Sequence, residues 1–283
     1  MNNKSAFIFT NYNNSDITGE AIKSILNNII DNEFNIEIII VDNDSNLNEK
    51  NRLREICKLI KAVKVIYLSE NIGYFKGLNE GIKNLKNSSN FYDFVVIGNN
   101  DLYFEKNFLK SVYENYNLFK NYPVVSPDII RLDGFHQNPH VTKPISKFRK
   151  IMYDIYYSNY YLSKIISFAA NISRKYTQRA DRKSYNVGGV IIGGYGACYL
   201  LGPLFFKSFD YLLAPTFLMG EEFFLYHQLK EKNYNIYYEP NIKVQHHDHA
   251  TVSNLPSKKF WNLSKVSHKI YKEYQKKEKT NKW

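Results

Sequence analysis

Two short acidic segments of this 283-residue chain could carry chemistry, and the first of them ends at Asp101. It is a Gly-Asn-Asn-Asp turn directly after the apolar run Phe-Val-Val-Ile at 94–97. A carboxylate in such a turn can hold Mn²⁺ or Mg²⁺ beside a diphosphate, because these ions favour oxygen ligands and often combine few carboxylates with phosphates. An Asx turn without any ligand is the plainer interpretation of this segment taken alone.

The second segment is the acidic pair Glu221 and Glu222, which follows Gly220 at the start of a predicted helix. A carboxylate within hydrogen-bond reach of a hydroxyl can remove its proton as a general base. Successive helical residues point about 100° apart. We therefore expect one glutamate to face a cleft and the other to stabilise the helix N-terminus.

Three histidines, His246, His247 and His249, surround Asp248 after a predicted strand. Such a cluster could bind zinc, but its spacing fits no structural zinc pattern and neither Cys57 nor Cys198 lies near it in sequence. For His247 and His249 we predict structural or exposed positions.

The elements that would position these residues alternate between strands and helices over the first 132 residues. Apolar runs near 6–9, 37–41, 63–68 and 94–97 are separated by stretches of helical spacing, and a further helix is predicted at 108–120. This alternation predicts an α/β fold with a mostly parallel central sheet and helices on both faces. The polar segments all fall at carboxyl ends of strands, where ligands of such sheets bind.

A segment of different composition, residues 133–185, interrupts this alternation. It is basic and rich in tyrosine, with helical spacing across 151–172, and the α/β pattern returns at 186. The tail 257–283 is predicted to be a lysine-rich helix. The segment could form an amphipathic lid, a membrane-facing surface, or helices that pack on the core or on a second copy in a homodimer.

The net charge of +11 is concentrated in two regions. Ten basic residues and two acids lie between 143 and 183, and nine lysines and two acids lie from 258 onward. A basic surface on an acidic body indicates contact with polyanions such as an anionic membrane surface. A nucleic-acid-binding module would share this charge, but the acidic residues at the strand ends argue against it, so we expect no nucleic acid partner.

Two cysteines allow neither a disulfide framework nor a zinc site, and we expect buried thiols in a reducing compartment. The uncharged run at 186–206 contains six glycines and Pro203, so it is predicted to be buried loop and strand rather than a membrane span. The apolar stretch at the N-terminus is short for a signal peptide. We therefore expect a cytoplasmic protein. The basic regions extend this expectation to peripheral association with the inner face of the cell membrane.

The order of the polar segments resembles that of the family 2 glycosyltransferases, which have the GT-A fold. The resemblance implies a metal-dependent, inverting transfer of a sugar from a nucleotide-diphosphate donor to a hydroxyl, and it is strongest to bacterial rhamnosyltransferase-like enzymes of surface polysaccharide synthesis. The segments that carry it are Thr-Asn-Tyr-Asn at 10–13, Val-Asp-Asn-Asp-Ser at 41–45, and the stretches 70–82, 98–102, 194–201, 217–240 and 244–251.

The same resemblance implies roles for individual residues. Asp101 and His246 would hold Mn²⁺ or Mg²⁺, and Glu222, at the second position of the acidic pair, would be the base, with Glu221 as the alternative. Phe224 and Gln228 stand where the family often has an Asp and an Arg. The implied donor-binding residues are Thr10, Asn11, Tyr12, Asp42, Asn71, Gly73, Lys76, Asn99 and Asn100.

The resemblance also assigns the parts of the chain and the partners. Residues 1–132 would form the nucleotide-sugar-binding half and 186–256 the acceptor half, with 133–185 as an insertion and 257–283 as an appended helix. The implied acceptor is a glycan or a lipid-linked oligosaccharide of a surface or capsular polysaccharide. A sugar-nucleotide nucleotidyltransferase is the rival enzyme, but it needs a glycine-rich basic loop after the first strand, which residues 10–20 lack.

Overall fold

A single sheet with helices on both faces forms the centre of the computed structural model, which describes residues 3–28, 34–86, 92–174, 185–247 and 257–280. In these ranges the strands are β1 (Lys4–Asn11), β2 (Asn35–Asp42), β3 (Val63–Tyr67), β4 (Phe94–Asn99), β5 (Leu102–Tyr103), β6 (Val124–Arg131), β7 (Gly189–Ile191), β8 (Cys198–Leu201) and β9 (Ile236–His246). The helices are α1 (Ser15–Leu26), α2 (Leu47–Cys57), α3 (Tyr74–Lys86), α4 (Phe108–Glu114), α5 (Lys147–Ser158), α6 (Tyr160–Arg174), α7 (Pro203–Ser208), α8 (Glu221–Lys230) and α9 (Ser257–Thr280).

The continuous apolar runs of β1 and β2 place these strands in the middle of the sheet, where both faces are covered. Successive side chains of a strand point to opposite faces. Phe7 and Phe9 accordingly belong to one buried cluster, and Ala6 and Ile8 belong to the other. The expectation of helices on both faces of a buried sheet is confirmed.

The order of the strands in the sheet, β3-β2-β1-β4-β8-β6-β9-β5, sets the position of the polar segments. Strand β7 also pairs with β9 but is not part of this order. Pairs β1–β2, β1–β4, β2–β3 and β6–β9 are parallel, and they contain most of the paired residues. The register aligns Asn11 with Asp42, and Thr10 with Asn99. The carboxyl ends of β1, β2 and β4 therefore meet at one edge, as the sequence predicts.

Two predicted helices differ from the observed ones. The helix expected over 108–120 is α4 followed by a short 3-10 turn at Tyr116–Lys120. The helical spacing across 151–172 belongs to two helices, because Asn159 between them has an extended backbone. Its side-chain oxygen accepts hydrogen bonds from the N–H groups of Tyr161 and Leu162 and so caps α6.

Helix α9 connects the basic segment to the rest of the fold. On the α5 side, Asp154 accepts from His268 and from Lys272, each at 2.8 Å. On the α8 side, Tyr271 packs against the rings of Phe223 and Phe224. The hairpin of α5 and α6 is therefore attached through α9 to the helix that begins with the acidic pair.

No helix in the described ranges is both long enough and apolar enough to span a bilayer. The uncharged run at 186–206 contains β7, β8 and the first part of α7. The expected strands are present, but residues 186–188 and Val190 are exposed and the run ends in a helix. Cys57 and Cys198 are buried free thiols, which confirms that part of the expectation.

Candidate active site

A cavity of about 1050 Å³ lies at the carboxyl edge of the parallel strands. It contains both acidic segments singled out in the sequence and most of the predicted donor-binding residues. The predicted residues that line it are Thr10, Tyr12, Asn71, Gly73, Asn99, Asn100, Asp101, Glu221, Glu222 and His246. The predicted residues that lie outside its lining are Asn11, Asp42 and Lys76.

The short antiparallel pairing of β5 with β9 brings Asp101 to His246. Leu102 pairs with His246 in register, and the N–H of His247 donates to the Asp101 carbonyl at 3.0 Å. His246 Nε2 lies 3.1 Å from Asp101 Oδ1, and both side chains are almost fully buried. Two residues 145 positions apart therefore form one compact site.

The hydrogen bonds of His246 indicate that this pair fits a cation. Its Nδ1 lies 2.8 Å from Gln137 Oε1, and Nδ1 is the donor in the tautomer that matches this amide orientation. In that tautomer the Nε2 lone pair faces a carboxylate oxygen, so a metal ion between the two atoms would satisfy both. Anchoring of the distal ring nitrogen is how proteins orient metal-binding histidines.

The protein supplies few ligands at this position. In the described part of the chain, no group of three or more His, Cys, Asp or Glu side chains is arranged to hold a metal ion. Mg²⁺ commonly takes only one or two carboxylates from the protein and completes its shell with water and substrate phosphates. Asp101 and His246 therefore fit a metal ion whose remaining coordination positions are filled by a phosphate ligand and water.

The floor of the cavity is a hydrogen-bonded network of short polar side chains. Asn100 Nδ2 donates to Asn14 Oδ1 and to Thr18 Oγ1, each at 2.7 Å. Asn99 N–H donates to the Ala197 carbonyl at 2.9 Å, which fixes the turn against β8. We call Thr10, Asn43, Asn99, Asn100 and Asp101 the strand-end floor; all five line the cavity.

Asp42 lies beneath this floor and is fully buried. Its carboxylate accepts from Asn11 Nδ2 at 2.8 Å and from the Ser45 N–H at 3.1 Å. These bonds stabilise the turn after β2, while the neighbouring Asn43 lines the cavity instead. The role of Asp42 in reading the donor base stays a prediction, and its position favours an indirect one.

The segment before α3 closes against the loop that precedes α8. Gly73 has φ of +92°, and a Cβ there would meet the Phe217 carbonyl oxygen at 2.2 Å. The Tyr74 N–H donates to the same oxygen at 3.0 Å. Asn43 binds this segment from below, since its Nδ2 donates to the Gly73 carbonyl at 2.9 Å. Lys76 points to solvent and lies outside the lining.

Both acidic residues at the start of α8 line the cavity, so the expectation that only one faces it is wrong. Met219 and Gly220 have φ of 75° and 84°, and this left-handed turn directs the first turn of the helix at the cavity. The cavity therefore covers the end of the helix, and side chains about 100° apart both reach it. A non-glycine residue with positive φ is uncommon, and such backbone strain concentrates at functional sites.

The two glutamates have different surroundings. Glu221 is 6% exposed, and its Oε1 has no hydrogen-bond partner among the described residues. Burial, followed by the nearby charge of Glu222, raises the pKa of Glu221 to about 8. Glu222 is half-buried, and desolvation also raises the pKa of its carboxyl.

One side of the cavity comes from α5 and α6 of the segment 133–185, for which a lid over the acceptor site is one of the sequence-based alternatives, and from α9, which the sequence did not assign to a site. We call Tyr156, Tyr160, Lys164, Lys259 and Trp261 of α5, α6 and α9 the helical wall; all five line the cavity. The wall is tied to the loop before α8, since Ser267 Oγ donates to the Leu218 carbonyl.

Other sequence predictions also have a place in the structure. Tyr195, Gly196 and Ala197 of the segment expected to face the acceptor line the cavity. His247 stacks on Tyr103 with ring centroids 5.9 Å apart, while His249 lies outside the described residues.

The residues that depart from the family pattern anchor α8. Gln228 accepts from the Leu213 N–H at 2.9 Å and donates to the Tyr211 carbonyl at 2.6 Å. Phe224 is buried against Tyr271 and Tyr274 of α9. At these two positions the chain has exchanged polar family residues for contacts that hold the helix in place.

Comparisons with known proteins agree with this geometry. The chain is similar to a mannosyltransferase, PcManGT from Pyrobaculum calidifontis, solved with GDP-Man and Mn²⁺, with a TM-score of 0.52 and 11% identity over 88% of this chain and 59% of that one. It is also similar to GalNAc-T7 solved with UDP, GalNAc and Mn²⁺, with a TM-score of 0.57 and 13% identity over 89% of this chain and 45% of that one. These likenesses show the fold, and this chain spans less than two thirds of the length of either protein.

Comparison with curated proteins finds no match. The family model described as glycosyl transferase family 2 matches residues 6–185, which is more than half of the chain. The match includes β1 to β6 and the Asp101 turn. The chain is therefore a member of glycosyl transferase family 2 with the GT-A fold.

Proposed function

We propose that this chain is an inverting, metal-dependent glycosyltransferase that moves a sugar from a nucleotide-diphosphate donor to an acceptor hydroxyl. The observation that carries the proposal is one cavity lined both by the Asp101–His246 pair and by Glu221 and Glu222. One of the two similar proteins was solved with GDP-Man and Mn²⁺ and the other with UDP, GalNAc and Mn²⁺, which supports the same donor class here.

On the donor side, Asp101 Oδ1 and His246 Nε2 would hold Mn²⁺ or Mg²⁺. The bound ion supplies positive charge that stabilises the diphosphate as it leaves. Asn99 lines the cavity beside this pair and offers its amide group to the nucleotide or phosphates, while the amide N–H groups of Asn100 donate within the protein. The hydrogen bonds of Asn100 hold its amide in a fixed orientation before any substrate arrives, which is the preorganisation that electrostatic catalysis needs.

On the acceptor side, Glu222 would take the hydroxyl proton while the acceptor oxygen forms a bond to the anomeric carbon. The bond from that carbon to the diphosphate oxygen breaks on the opposite face, so the configuration inverts and the electron pair leaves with the nucleotide. Glu222 is favoured over Glu221 because Glu221, with its pKa near 8, is mostly protonated at neutral pH. Glu222 also interacts electrostatically with Tyr157 of α5, and Glu221 with Tyr74 of α3.

Activity assays with nucleotide sugars test this function. We expect transfer to water or to an added glycan from one of the UDP-, GDP- or dTDP-linked sugars, including dTDP-rhamnose, and we expect EDTA to abolish it. Asp101→Asn should remove the activity, while Asp133→Asn, at an exposed position, should keep it. Pyrophosphate exchange between a nucleoside triphosphate and a sugar 1-phosphate would indicate the rival nucleotidyltransferase.

The acceptor we propose is a lipid-linked glycan of a surface polysaccharide. To reach it, the protein would bind peripherally to an anionic membrane. The outer face of the α5–α6 hairpin supports this, because its exposed apolar residues recur at helical spacing beside basic ones. A second copy would bring the same positive charges together, which favours a lipid surface over a homodimer. The exposed apolar residues are Phe148, Ile151, Ile155, Tyr161, Leu162, Ile165 and Phe168.

Co-sedimentation with lipid vesicles tests this docking. The chain should sediment with phosphatidylglycerol vesicles at low salt and remain in solution with phosphatidylcholine. Ile151→Asp combined with Phe168→Asp should abolish sedimentation, while Leu59→Asp, which is also exposed but lies after α2, should not. Equal sedimentation of the double variant would contradict the proposed surface.

A further inference from the structure

The helical wall contains aromatic rings and lysines in contact. Tyr160 and Trp261 meet edge to face with centroids 5.7 Å apart. Lys164 Nζ lies 5.1 Å from the Tyr160 ring centroid, and Lys265 Nζ lies 4.9 Å from that of Trp261. The wall therefore contributes two lysines, Lys164 and Lys259, to the cavity lining beside Tyr160 and the largely buried Trp261.

These lysines lack acidic partners. Within the described ranges no Asp or Glu lies at ion-pair distance from Lys164, Lys258, Lys259 or Lys265. Lys258 Nζ adds a further charge 5.9 Å from the Tyr160 ring. Lys272, on the same helix, is by contrast paired with Asp154 at 2.8 Å. The contacts with aromatic rings stabilise each ammonium group by only about 0.5–1 kcal/mol at an exposed site.

The position of the wall separates it from the donor site. Trp261 donates to the Tyr156 carbonyl at 3.3 Å, which fixes α9 against α5. Tyr157 is the next residue on α5, and it interacts electrostatically with Glu222. Its ring centroid lies 6.5 Å from that of Trp261. The wall is thus adjacent to the glutamate that would activate the acceptor, while the metal-binding pair lies on the strand-end floor.

We propose that the helical wall is an acceptor subsite for a phosphate-bearing sugar. The apolar face of a pyranose ring would pack on Tyr160 beside the largely buried Trp261, and the phosphate oxygens would bind the ammonium groups of Lys164 and Lys259. Two lining lysines without an acidic partner among the described residues match an anion with more than one charge, because an ammonium binds phosphate as a point charge without the planar geometry that carboxylate pairing favours. The inference rests on the proposed function and names the acceptor class that the same cavity takes.

Fluorescence of Trp261 measures this binding directly. The chain has two tryptophans, so Trp283→Phe leaves Trp261 as the only indole. We would titrate the full chain with glucose 1-phosphate, with the dodecyl ester of glucose 1-diphosphate, which carries two negative charges as glucose 1-phosphate does, and with methyl glucoside as the neutral control. Both phosphate-bearing probes should bind at least about tenfold more tightly than methyl glucoside. Tighter binding of the dodecyl ester would identify a lipid-linked acceptor, and equal binding would identify a free sugar phosphate.

Paired lysine variants locate the site. Lys164→Ala combined with Lys259→Ala should raise Kd for both phosphate-bearing probes about tenfold or more, and should remove most of the salt dependence of binding. Lys232→Ala combined with Lys269→Ala removes the same charge outside the cavity lining and should leave Kd within about twofold.

A nucleotide titration separates this inference from the proposed function. The Kd for UDP or GDP with Mn²⁺ should stay within about twofold in the Lys164 and Lys259 variant, because that ligand belongs to the floor. Weakened nucleotide binding with unchanged sugar phosphate binding would overturn the inference and assign these lysines to the donor. Equal affinity for methyl glucoside and the phosphate-bearing probes would also overturn it. Absence of nucleotide binding in the unaltered protein would refute the proposed function instead.

Discussion

The strand-end floor and the helical wall face the same cavity but are held in place in different ways. Floor side chains are fixed by hydrogen bonds to the protein around them, as Asn100 is by Asn14 and Thr18 at 2.7 Å. Wall side chains are held mainly by aromatic packing, as Tyr160 is by Trp261. A closed hydrogen-bond network permits one geometry, whereas packed rings and long lysines adapt to more than one shape.

This difference indicates that the strand-end floor and the helical wall bind different substrates. The floor would bind the nucleotide-diphosphate donor under the proposed function, and it is built on strands buried on both faces. The wall carries groups that would distinguish one acceptor from another, and it is built on helices outside the sheet. Glu221 and Glu222 line the same cavity from the start of α8 and belong to neither set.

The largest expected effect comes from Glu222→Gln, which should separate chemistry from donor binding. Loss of the general base should lower kcat by about 10²–10⁴-fold. Because the floor is untouched, Kd for the nucleotide diphosphate should not change, and calorimetry alongside the transfer assay measures both quantities. Glu55→Gln, on an exposed side chain of α2, is the matched control. A larger kcat loss in Glu221→Gln would identify Glu221 as the base.

A smaller effect is expected where the floor meets the loop before α8. Gly73→Ala introduces a Cβ 2.2 Å from the Phe217 carbonyl oxygen in addition to an unfavourable φ. Gly134 also has positive φ, of +77°, but open space around it, so Gly134→Ala isolates the backbone cost. We expect losses in unfolding free energy of about 3 kcal/mol at Gly73 and about 1 kcal/mol at Gly134. Equal losses in urea unfolding would show that the contact with the loop contributes nothing.

A comparable effect, seen only as pH changes, should come from Glu221. Burial raises the pKa of Glu221 from its ordinary value of 4.5 to about 8 in the folded chain. Between pH 4.5 and pH 8, the folded chain therefore keeps a proton that the unfolded chain has released. The contribution of Glu221 to the free energy of unfolding should therefore be greatest below about pH 4.5, and it should fall as the pH rises toward 8. Between pH 5 and 8 we expect about 3 kcal/mol of loss relative to Glu221→Gln, which does not titrate.

Urea unfolding of both proteins in EDTA without nucleotide measures this difference. Parallel pH profiles for the wild-type chain and Glu221→Gln would show that the carboxyl is ionised in the folded state. That result would weaken the preference for Glu222 as the base, because it rests on Glu221 being protonated.

The sequence predicts the floor better than the wall, for a physical reason. Apolar runs that end in polar turns fix both the strands and the edge at which they end, so Asn99 and Asp101 were placed correctly from local pattern. The contact of Asp101 with His246 depends on β5 pairing with β9, which involves only two residue pairs and has little local signal. The resemblance to a family, rather than the pattern, connected them.

The rest of the site depends on contacts distant in sequence. Gln137, which orients His246, lies in an irregular segment and has no motif around it. The helical wall forms only when α9 packs on α5, and helical spacing says which face of a helix is apolar but not which helix covers it. The left-handed turn at Met219, which directs both glutamates at the cavity, is also invisible in residue type, since methionine rarely adopts it.

Binding of Mn²⁺ followed by electron paramagnetic resonance tests the central assignment most directly. In the presence of UDP or GDP, the chain should bind Mn²⁺, and Asp101→Asn or His246→Ala should each weaken that binding at least about tenfold. Glu222→Gln should bind Mn²⁺ as the unaltered chain does. Unchanged Mn²⁺ affinity in Asp101→Asn would contradict the account, because the donor site would then lie elsewhere.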